Sequence, residues 1–262
     1  KIILKDKIYI NENKSFDLVI SCGRKSVIPS VIIKKKNTNI FTIHIQDPKV
    51  NYKNFDVIIA PEHDELKGEN VISSKGSIHY ITQSEIEKAK NYLVNKFHNE
   101  NVVSLILGGP SKYYSFSNED LTQVFRKIKS NFISQGYKAL VIPSMRTPKR
   151  IIDLAMKEFV KVGFVVNTVD KQAYLSALAL ATNIVVTCDS TSMISEAAAS
   201  GKPIFVAHMK PKKNNYRFKK FYQLFNEMGI TRDLGDQIKN WTYNKLNEAE
   251  RIAAIINRKL GN

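Results

Sequence analysis

Hydroxyl groups, carboxylates and small residues gather where the apolar run Ile184–Thr187 ends and a helix-like stretch begins. The candidate residues there are Asp189, Ser190, Ser192, Met193 and Glu196. Backbone amides and the partial positive charge at a helix N-terminus favour a phosphate, and Glu196, one turn further in, can accept hydrogen bonds from a ribose hydroxyl pair. The segment predicts a nucleotide site. The alternative is that Ser192 and Glu196 only cap and solvate the helix.

Two further turns in the same half carry groups that suit a diphosphate. One follows the run Val102–Leu107 and contributes Gly108, Gly109, Ser111 and Lys112; the other follows Ala139–Ile142 and contributes Ser144, Arg146 and Thr147. Glycines let backbone amides approach a phosphate, and Arg146 can grip it in a bidentate manner that lysine cannot. Thr147 is expected to cap the next helix. A simple glycine turn and a solvated basic turn are the alternatives.

The first half offers a different chemistry after its own apolar runs. The candidates are Gly23 and Arg24, then Asp47, then His63 and Asp64. A carboxylate beside a histidine is able to act as a general base that activates an acceptor hydroxyl. Asp47 and Asp64 are equally consistent with turn residues that bind their own backbone. No hydrolase-type nucleophile elbow and no cluster with metal-ligand spacing is present in the sequence.

Composition sets the class of protein. The chain has 262 residues, of which 43% are hydrophobic, enough for two cores. No apolar run reaches the roughly 18 residues that a membrane helix needs, so a cytoplasmic protein is expected. Cys22 and Cys188 follow apolar runs and are expected to be buried thiols in a reducing compartment.

The formal net charge of +16 favours anionic partners such as phospholipid head groups, nucleic acid or a phosphorylated substrate. Peripheral contact with the inner face of an anionic membrane is therefore one expectation. A lysine-biased composition without functional meaning is the alternative, because the lysines are scattered over every segment.

Short runs rich in Val and Ile alternate with helix-like stretches, which predicts an α/β fold with parallel sheets covered by helices. Strands are predicted at Asp17–Ser21, Ile40–Ile45, Asp56–Ala60, more weakly near Ile78–Ile81, and at Val102–Leu107, Ala139–Ile142, Phe164–Asn167, Ile184–Thr187 and Pro203–Ala207. Helices are predicted at Ser26–Lys36, Ser84–Phe97, Asn118–Gln135, Pro148–Val162, Lys171–Ala181, Thr191–Ser200 and Asn247–Leu260.

These elements divide into two Rossmann-like domains, residues 1–99 and 100–262, at the polar stretch His98–Asn101. Ser84 is expected to cap its helix in a capping box with Glu87. The final helix, Asn247–Leu260, follows the last sheet elements, and packing of this helix against the first domain is an open alternative.

Six ordered segments resemble the ELM1-like family, GT-B-type glycosyltransferases that include the mitochondrial fission ELM1 proteins. The segments are GRKSV at Gly23–Val27, QDP at Gln46–Pro48, FDVIIAPEHD at Phe55–Asp64, LGGPSK at Leu107–Lys112, SMRTP at Ser144–Pro148 and DSTSMISEA at Asp189–Ala197. The resemblance implies a GT-B-like pair of Rossmann-like domains facing a cleft, with a nucleotide-sugar donor held mainly by the second.

One feature departs from the family pattern. Its members usually open with a strand and a glycine-containing loop of the DGKPGHENQ kind, and nothing similar precedes Asp17 here. The first domain is therefore expected to be N-terminally incomplete, which puts the acceptor side in question.

Together, the residues and the resemblance predict transfer of a sugar from a nucleotide-diphosphate donor to a hydroxyl of a lipid or cell-envelope glycan acceptor. Donor binding is expected from Ser192, Met193 and Glu196, with Gly109, Lys112 and Arg146 neutralising the leaving diphosphate. Asp47, His63 or Asp64 would serve the acceptor. The resemblance implies that neither a metal nor another cofactor is needed.

Two other function classes are kept open. The first is a non-catalytic adaptor on an anionic membrane, of the mitochondrial-fission type. The second is a nucleic-acid binder, suggested by the basic and aromatic stretch Tyr216–Phe221. No recognition motif accompanies that stretch, so no specific nucleic-acid partner is expected.

Overall fold

The computed structural model describes residues 16–235, 238 and 240–261. The expected N-terminal truncation concerns the chain ahead of Asp17 and so lies almost entirely outside these residues. The chain forms two compact units, one ending at Lys75 and the other beginning at Gly76. Each is an α/β unit built around a parallel sheet.

The first unit has a sheet of four parallel strands in the order β1-β2-β3-β4. Its elements are β1 Leu18–Cys22, α1 Arg24–Lys36, β2 Phe41–Ile45, β3 Val57–Pro61 and β4 Val71–Ser74, with short 3-10 turns at Tyr52–Asn54 and Glu62–Asp64. The interior strand β3 is a run of buried Val, Ile and Ala, as expected for a strand covered on both faces.

The second unit has a sheet of six parallel strands in the order β10-β9-β8-β5-β6-β7. The strands are β5 Val102–Leu107, β6 Lys138–Pro143, β7 Gly163–Val165, β8 Asn183–Thr187, β9 Ile204–Ala207 and β10 Thr231–Asp233. The helices are α2 Gln83–Ala89, α3 Asn118–Asn131, α4 Lys149–Phe159, α5 Lys171–Leu180, α6 Thr191–Ala198, α7 Tyr216–Glu227 and α8 Glu248–Leu260, with 3-10 turns at Lys90–Tyr92, Val94–Lys96 and Ile133–Gln135.

Helix α3 shows how the sequence specifies these elements. The Ser117 side chain accepts a hydrogen bond from the backbone N–H of Asp120 and caps the helix. Its buried side chains then recur at three- and four-residue spacing, at Leu121, Val124, Phe125 and Ile128. This spacing places them on one face of the helix, which packs into the main core.

The boundary between the units differs from the predicted one at His98–Asn101. Helix α2 packs against α5, and Ile81, Ile86 and Ala89 belong to the main core of the second unit. The backbone N–H of Leu93 also donates to the Ser176 hydroxyl at 3.2 Å. The segment 76–97 therefore completes the second unit, and periodicity alone gave no sign of this long-range packing. Packing of α8 on the first unit stays a prediction.

The Rossmann-like class and most elements are confirmed, and several details of the prediction are wrong. The fourth strand is Val71–Ser74 and not Ile78–Ile81. The capping box of α2 is formed by Thr82 and Glu85, two residues earlier than predicted, and the helix ends at Ala89. Helix α7 and strand β10 were not predicted.

The cysteine prediction is half right. Cys188 is buried, whereas Cys22 is exposed. Cys22 is the last residue of β1, which is the outermost strand of this sheet among the described residues and has mostly exposed side chains. Its apolar run therefore does not mark a buried strand.

Among the described helices, none has the length and hydropathy required to cross a bilayer.

Truncation of Phe125 should destabilise the second unit. Its side chain is 1% exposed, and its ring meets that of Phe159 edge to face with centroids 5.1 Å apart. Phe125→Ala should lower the free energy of unfolding by about 3 to 5 kcal/mol. Urea unfolding followed by the fluorescence of Trp241, the single tryptophan of the chain, measures this.

The matched control is Val160→Ala at the end of α4, where the side chain is 53% exposed. This change should alter the free energy by no more than about 0.5 kcal/mol. Similar losses in both variants would contradict the assignment of Phe125 to the core.

Candidate functional site

The strand order of the second sheet fixes where its candidate site lies. The chain moves outward through β5, β6 and β7, then crosses back and moves outward in the other direction through β8, β9 and β10. The order reverses between the neighbouring strands β5 and β8. Ligands of such sheets bind outside the carboxyl ends of the strands at this reversal, where the loops beginning at Gly108 and Cys188 lie side by side.

An ion pair between Arg146 and Asp189 occupies this position. Arg146 Nη2 lies 2.6 Å from Asp189 Oδ2. The same oxygen accepts the backbone N–H of Gly109 at 3.3 Å, and Asp189 Oδ1 accepts the Thr187 hydroxyl at 2.7 Å. Loops that follow β5, β6 and β8 thus converge on one carboxylate.

The two glycines after β5 are required by close approach. A Cβ at Gly108 would lie 1.9 Å from Asp189 Oδ1, and a Cβ at Gly109 would lie 1.8 Å from the carbonyl oxygen of Arg146. No side chain fits at these distances. The turn after β5 must therefore consist of glycines, because the Asp189 carboxylate and the loop that carries Arg146 pack directly against its backbone.

Burial sets the ionisation of Asp189. Its side chain has 0% exposure, and this desolvation raises the pKa of the carboxyl group above its ordinary value. Hydrogen bonding from Thr187, the charge of Arg146 and the N–H of Gly109 act in the opposite direction. Asp189 is thus a buried acceptor that holds the Arg146 guanidinium and the Gly109 N–H in place.

Arg146 itself is 42% exposed. Its guanidinium group carries five N–H donors, so it can remain paired with Asp189 and still donate to a phosphate. Its predicted role in neutralising a diphosphate stays a prediction.

Thr147 has a different role from the one predicted. The N-cap of α4 is Pro148, which has no capping side chain. The Thr147 hydroxyl instead lies 2.8 Å from the carbonyl oxygens of both Leu107 and Gly108. It also accepts the backbone N–H of Ser144 at 2.8 Å, and so fastens the arginine loop to the glycine loop.

Helix α6 begins beside this cluster. The Ser190 hydroxyl accepts the N–H of Met193 at 3.4 Å and caps the helix, and the Ser192 side chain is exposed at its first turn. The Met193 side chain is 8% exposed and packs in the core. Ser190 and Ser192 are therefore placed at the phosphate-favouring end of the helix, while Met193 has a buried side chain and a backbone N–H that the Ser190 hydroxyl already accepts.

Glu196 lies further along α6 and is already hydrogen-bonded. Its Oε2 accepts the Tyr174 hydroxyl at 2.8 Å. Burial raises the pKa of Glu196, while the Tyr174 hydrogen bond and the nearby His79 lower it. Burial also raises the pKa of Tyr174 well above its ordinary value, so Tyr174 stays protonated and donates. Glu196 is thus a positioned acceptor with one oxygen engaged.

Ser111 and Lys112 contact residues of their own loop. The Ser111 hydroxyl accepts the backbone N–H groups of Tyr113 at 3.1 Å and Tyr114 at 3.2 Å. The Lys112 ammonium lies 4.8 Å from the centroid of the Tyr113 ring. These are the contacts of a turn residue and of a surface lysine, and ligand binding by either residue stays a prediction.

The first unit brings its own candidates to one edge. Gly23 with Arg24, then Asp47, then His63 with Asp64 follow the neighbouring parallel strands β1, β2 and β3. Gly23 has φ 76° and is the N-cap of α1, a conformation that favours glycine, and Arg24 is exposed.

The carboxylates of this edge differ in their surroundings. Asp47 Oδ1 accepts the N–H of Lys49 at 2.9 Å, and its other oxygen pairs with the Lys49 ammonium, the local turn function already considered for it. His63 Nε2 lies 3.6 Å from Asp64 Oδ1, and both side chains are buried to at least nine-tenths. A histidine paired with a carboxylate is the better candidate for a base.

The candidate site of the second unit includes several residues that the sequence did not predict. Candidates were sought in the turns that directly follow strands. Thr187 is the last residue of a strand and Tyr174 lies within α5, so neither lies in such a turn. Tyr222 lies in the unpredicted helix α7, and its hydroxyl donates to the backbone carbonyl of Cys188, next to Asp189. Only long-range packing joins these residues to the site.

Cys188 is not a reactive thiol. Burial raises its pKa to about 11, so it remains protonated at neutral pH. Among the described residues, no group of three or more His, Cys, Asp and Glu side chains is arranged to hold a metal ion.

Comparison with known proteins places the chain in a sequence family. A family model described as "Mitochondrial fission ELM1" matches residues 5–260. An uncharacterized protein of Rickettsia prowazekii, RP120, is 30% identical over 281 residues, covering 92% of this chain and 78% of its own length.

The mitochondrial fission protein ELM1 of Arabidopsis thaliana is 26% identical over 275 residues, covering 93% of this chain. The match spans 64% of the plant protein, less than two thirds of its length.

A solved structure shares the fold. The UDP-GlcNAc 2-epimerase of Neisseria meningitidis, bound to UDP-GlcNAc, superposes with a TM-score of 0.55 at 11% identity, covering 94% of this chain and 76% of that one. This similarity confirms the GT-B-like class of fold and says nothing further about chemistry.

Removal of the Arg146 side chain should destabilise the protein in a pH-dependent way. Arg146→Ala leaves Asp189 buried without its counter-charge. The free energy of unfolding should therefore fall by about 1 to 3 kcal/mol near neutral pH. The value should lie at the low end of this range, because Arg146 is half-exposed and water screens its charge. A group whose folded pKa is raised favours the folded state when protonated and loses that contribution as pH rises through the folded pKa. The deficit should therefore shrink on acidification, as Asp189 takes up its proton. Thermal unfolding from about pH 7 down to about pH 5 measures it.

Lys149→Ala provides the control, because it removes an exposed ion pair with Asp153 in the adjacent helix. Its effect should stay below about 0.5 kcal/mol throughout. A deficit in Arg146→Ala that is constant or grows on acidification would refute the role assigned to Asp189.

Proposed function

The chain belongs to the mitochondrial fission ELM1 family, and from that premise we propose that it transfers a sugar from a nucleotide-diphosphate donor to a hydroxyl of a lipid or cell-envelope glycan acceptor. The observation that carries the proposal is the convergence of Gly109, Arg146 and Asp189 at the strand-order reversal beside the N-terminus of α6. A fixed cation beside a helix N-terminus suits a diphosphate.

The donor would bind along α6. Its diphosphate would lie against Arg146, the Gly109 turn and the first turn of α6, near Ser190 and Ser192. Its ribose would then reach Glu196, which lies one turn further into the helix. A hydroxyl pair could donate to the Glu196 oxygen that Tyr174 leaves available.

The same groups would assist bond cleavage. Glycosyl transfer breaks the bond between the anomeric carbon and the diphosphate oxygen, and negative charge accumulates on the leaving nucleotide diphosphate. A fixed guanidinium and helix amides stabilise that charge without reorganisation during the reaction. The acceptor oxygen forms the new bond to the anomeric carbon and releases its proton.

The acceptor proton would go to a residue of the first unit. The buried pair of His63 and Asp64, 3.6 Å apart, fits a base better than Asp47, whose carboxylate is engaged by Lys49. Gly23 and Arg24 belong to the same edge of that sheet and are included in the proposal as acceptor-side groups.

A non-catalytic adaptor on an anionic membrane is the second candidate. The formal charge of +16 favours it. An adaptor has no need of a nucleotide site, so nucleotide binding separates the two functions.

Calorimetric titration and thermal shift with UDP, GDP, ADP, CMP and TDP test the donor site. UDP is the first choice because the Neisseria epimerase of the same fold is bound to UDP-GlcNAc. We expect one nucleotide to bind with a dissociation constant on the order of micromolar. Glu196→Gln should weaken it about 10- to 100-fold, since a hydrogen bond to a charged group contributes about 1.5 to 3 kcal/mol.

Glu227→Gln is the matched control, because Glu227 is an exposed glutamate at the end of α7 whose partner is Gln223. It should leave the affinity unchanged. Absence of binding by all five nucleotides would refute the donor site and favour the adaptor, and equal weakening in both variants would refute the role of Glu196.

A further inference from the structure

An exposed basic surface lies at the carboxyl edge of the second sheet, formed by the loops that follow β5 and β9 and by the start of α7. We call it the basic rim and define it by Lys112, Lys212, Lys213 and Lys219 with the tyrosines Tyr113 and Tyr216. The four lysines are exposed, and Tyr216 is 56% exposed. The donor-site proposal does not use this surface, apart from the earlier prediction for Lys112.

Backbone contacts hold the rim together. The N–H of Lys212 donates to the carbonyl of Tyr113 at 2.7 Å, and Tyr114 forms an isolated antiparallel bridge with Pro211. The ring of Tyr113 meets that of Phe218 in α7 edge to face, with centroids 5.3 Å apart. Lysines distant in sequence are therefore fixed on one surface.

The rim carries charge of a single sign. The segments 110–116 and 211–221, which supply all of it, contain no aspartate or glutamate. A concentrated positive surface attracts a partner that is itself densely anionic. A bilayer with anionic lipids and a nucleic acid are the two such partners to compare.

The tyrosines favour the bilayer. The ring of Tyr113 has the ammonium groups of Lys112 and Lys213 within 4.8 and 5.5 Å of its centroid, and that of Tyr216 has Lys220 within 4.5 Å. An ammonium over a ring takes the place that a stacked base would occupy on that face. Tyrosine beside lysine is the combination typical of a lipid head-group region, where the ring lies at the interface and the ammonium reaches phosphates.

We propose that the basic rim is a docking site for an anionic lipid bilayer. Binding would be electrostatic, with Tyr216 at the head-group level, and would hold the carboxyl edge of the second sheet against the membrane. The same edge carries Arg146 and the start of α6, so docking would present that site to molecules embedded in the bilayer. The docking site does not depend on glycosyl transfer, and its test requires no nucleotide.

Sedimentation with lipid vesicles tests the docking site. The full chain should bind vesicles of phosphatidylcholine with phosphatidylserine, should not bind phosphatidylcholine alone, and should dissociate as salt is raised. Each lysine near such a surface strengthens binding about fivefold. The double variant Lys212→Glu with Lys213→Glu should therefore bind at least about 30-fold more weakly.

The control has the same net charge. Lys157→Glu with Lys161→Glu changes two exposed lysines at and beyond the last turn of α4, and this variant should bind the vesicles as the unaltered chain does. Far-ultraviolet circular dichroism and thermal melting establish that both variants fold.

Three outcomes would overturn the docking site. They are failure of the unaltered chain to bind anionic vesicles, equal loss of binding in the two double variants, and displacement of the chain from vesicles by single-stranded RNA at lower phosphate concentration than that of the lipid. The last would identify nucleic acid as the occupant of the rim.

Discussion

The turn that follows β8 contains Asp189, whose carboxylate has no solvent exposure, and the groups around this carboxylate stabilise its charge. Transfer of a carboxylate from water to a protein interior costs several kcal/mol unless hydrogen bonds and a counter-charge offset it. Thr187, Gly109 and Arg146 provide these for Asp189. Because they come from the end of β8 and from the loops after β5 and β6, the buried charge fixes the relative positions of these three segments.

Other features of the site follow from this constraint. The turn after β5 must be two glycines, since the carboxylate and the Arg146 carbonyl leave no space for a Cβ. Thr147 fastens the arginine loop to the carbonyls of that turn. Tyr222 anchors the carbonyl of Cys188 directly before the carboxylate. Arg146 is thereby held in one position before any ligand arrives, and such preorganisation reduces the cost of binding an anion.

The sequence predicted the fold class well because its signals are local. Runs of Val and Ile and the amphipathic spacing of α3 report strands and helices directly. The search for turn residues after strands also selected Gly108, Gly109, Arg146 and Asp189, and the structure brings these four together, since parallel strands bring their carboxyl ends to one edge.

The features that the sequence did not predict have one physical cause in common: each depends on contacts between segments that are distant in the chain. Helix α2 joined the second core through its packing on α5. Glu196 accepts a hydrogen bond from Tyr174 in another helix, and the buried Asp189 pairs with Arg146 from another loop. Helix α7 was not predicted, because the lysines of its first half suggested only a basic stretch. Its buried residues Phe221, Tyr222 and Phe225 lie on one face of the helix, at three- and four-residue spacing. Periodicity cannot report which partner a face will meet.

The most direct test of the account is a crystal structure of the protein with UDP. The diphosphate should lie against the first turn of α6, with Arg146 donating to it while still paired with Asp189, and the ribose should contact Glu196. A nucleotide bound elsewhere, for instance in the pocket of about 530 Å³ lined by Lys127, His208 and Asp233, with the Arg146 and Asp189 cluster unengaged, would contradict it.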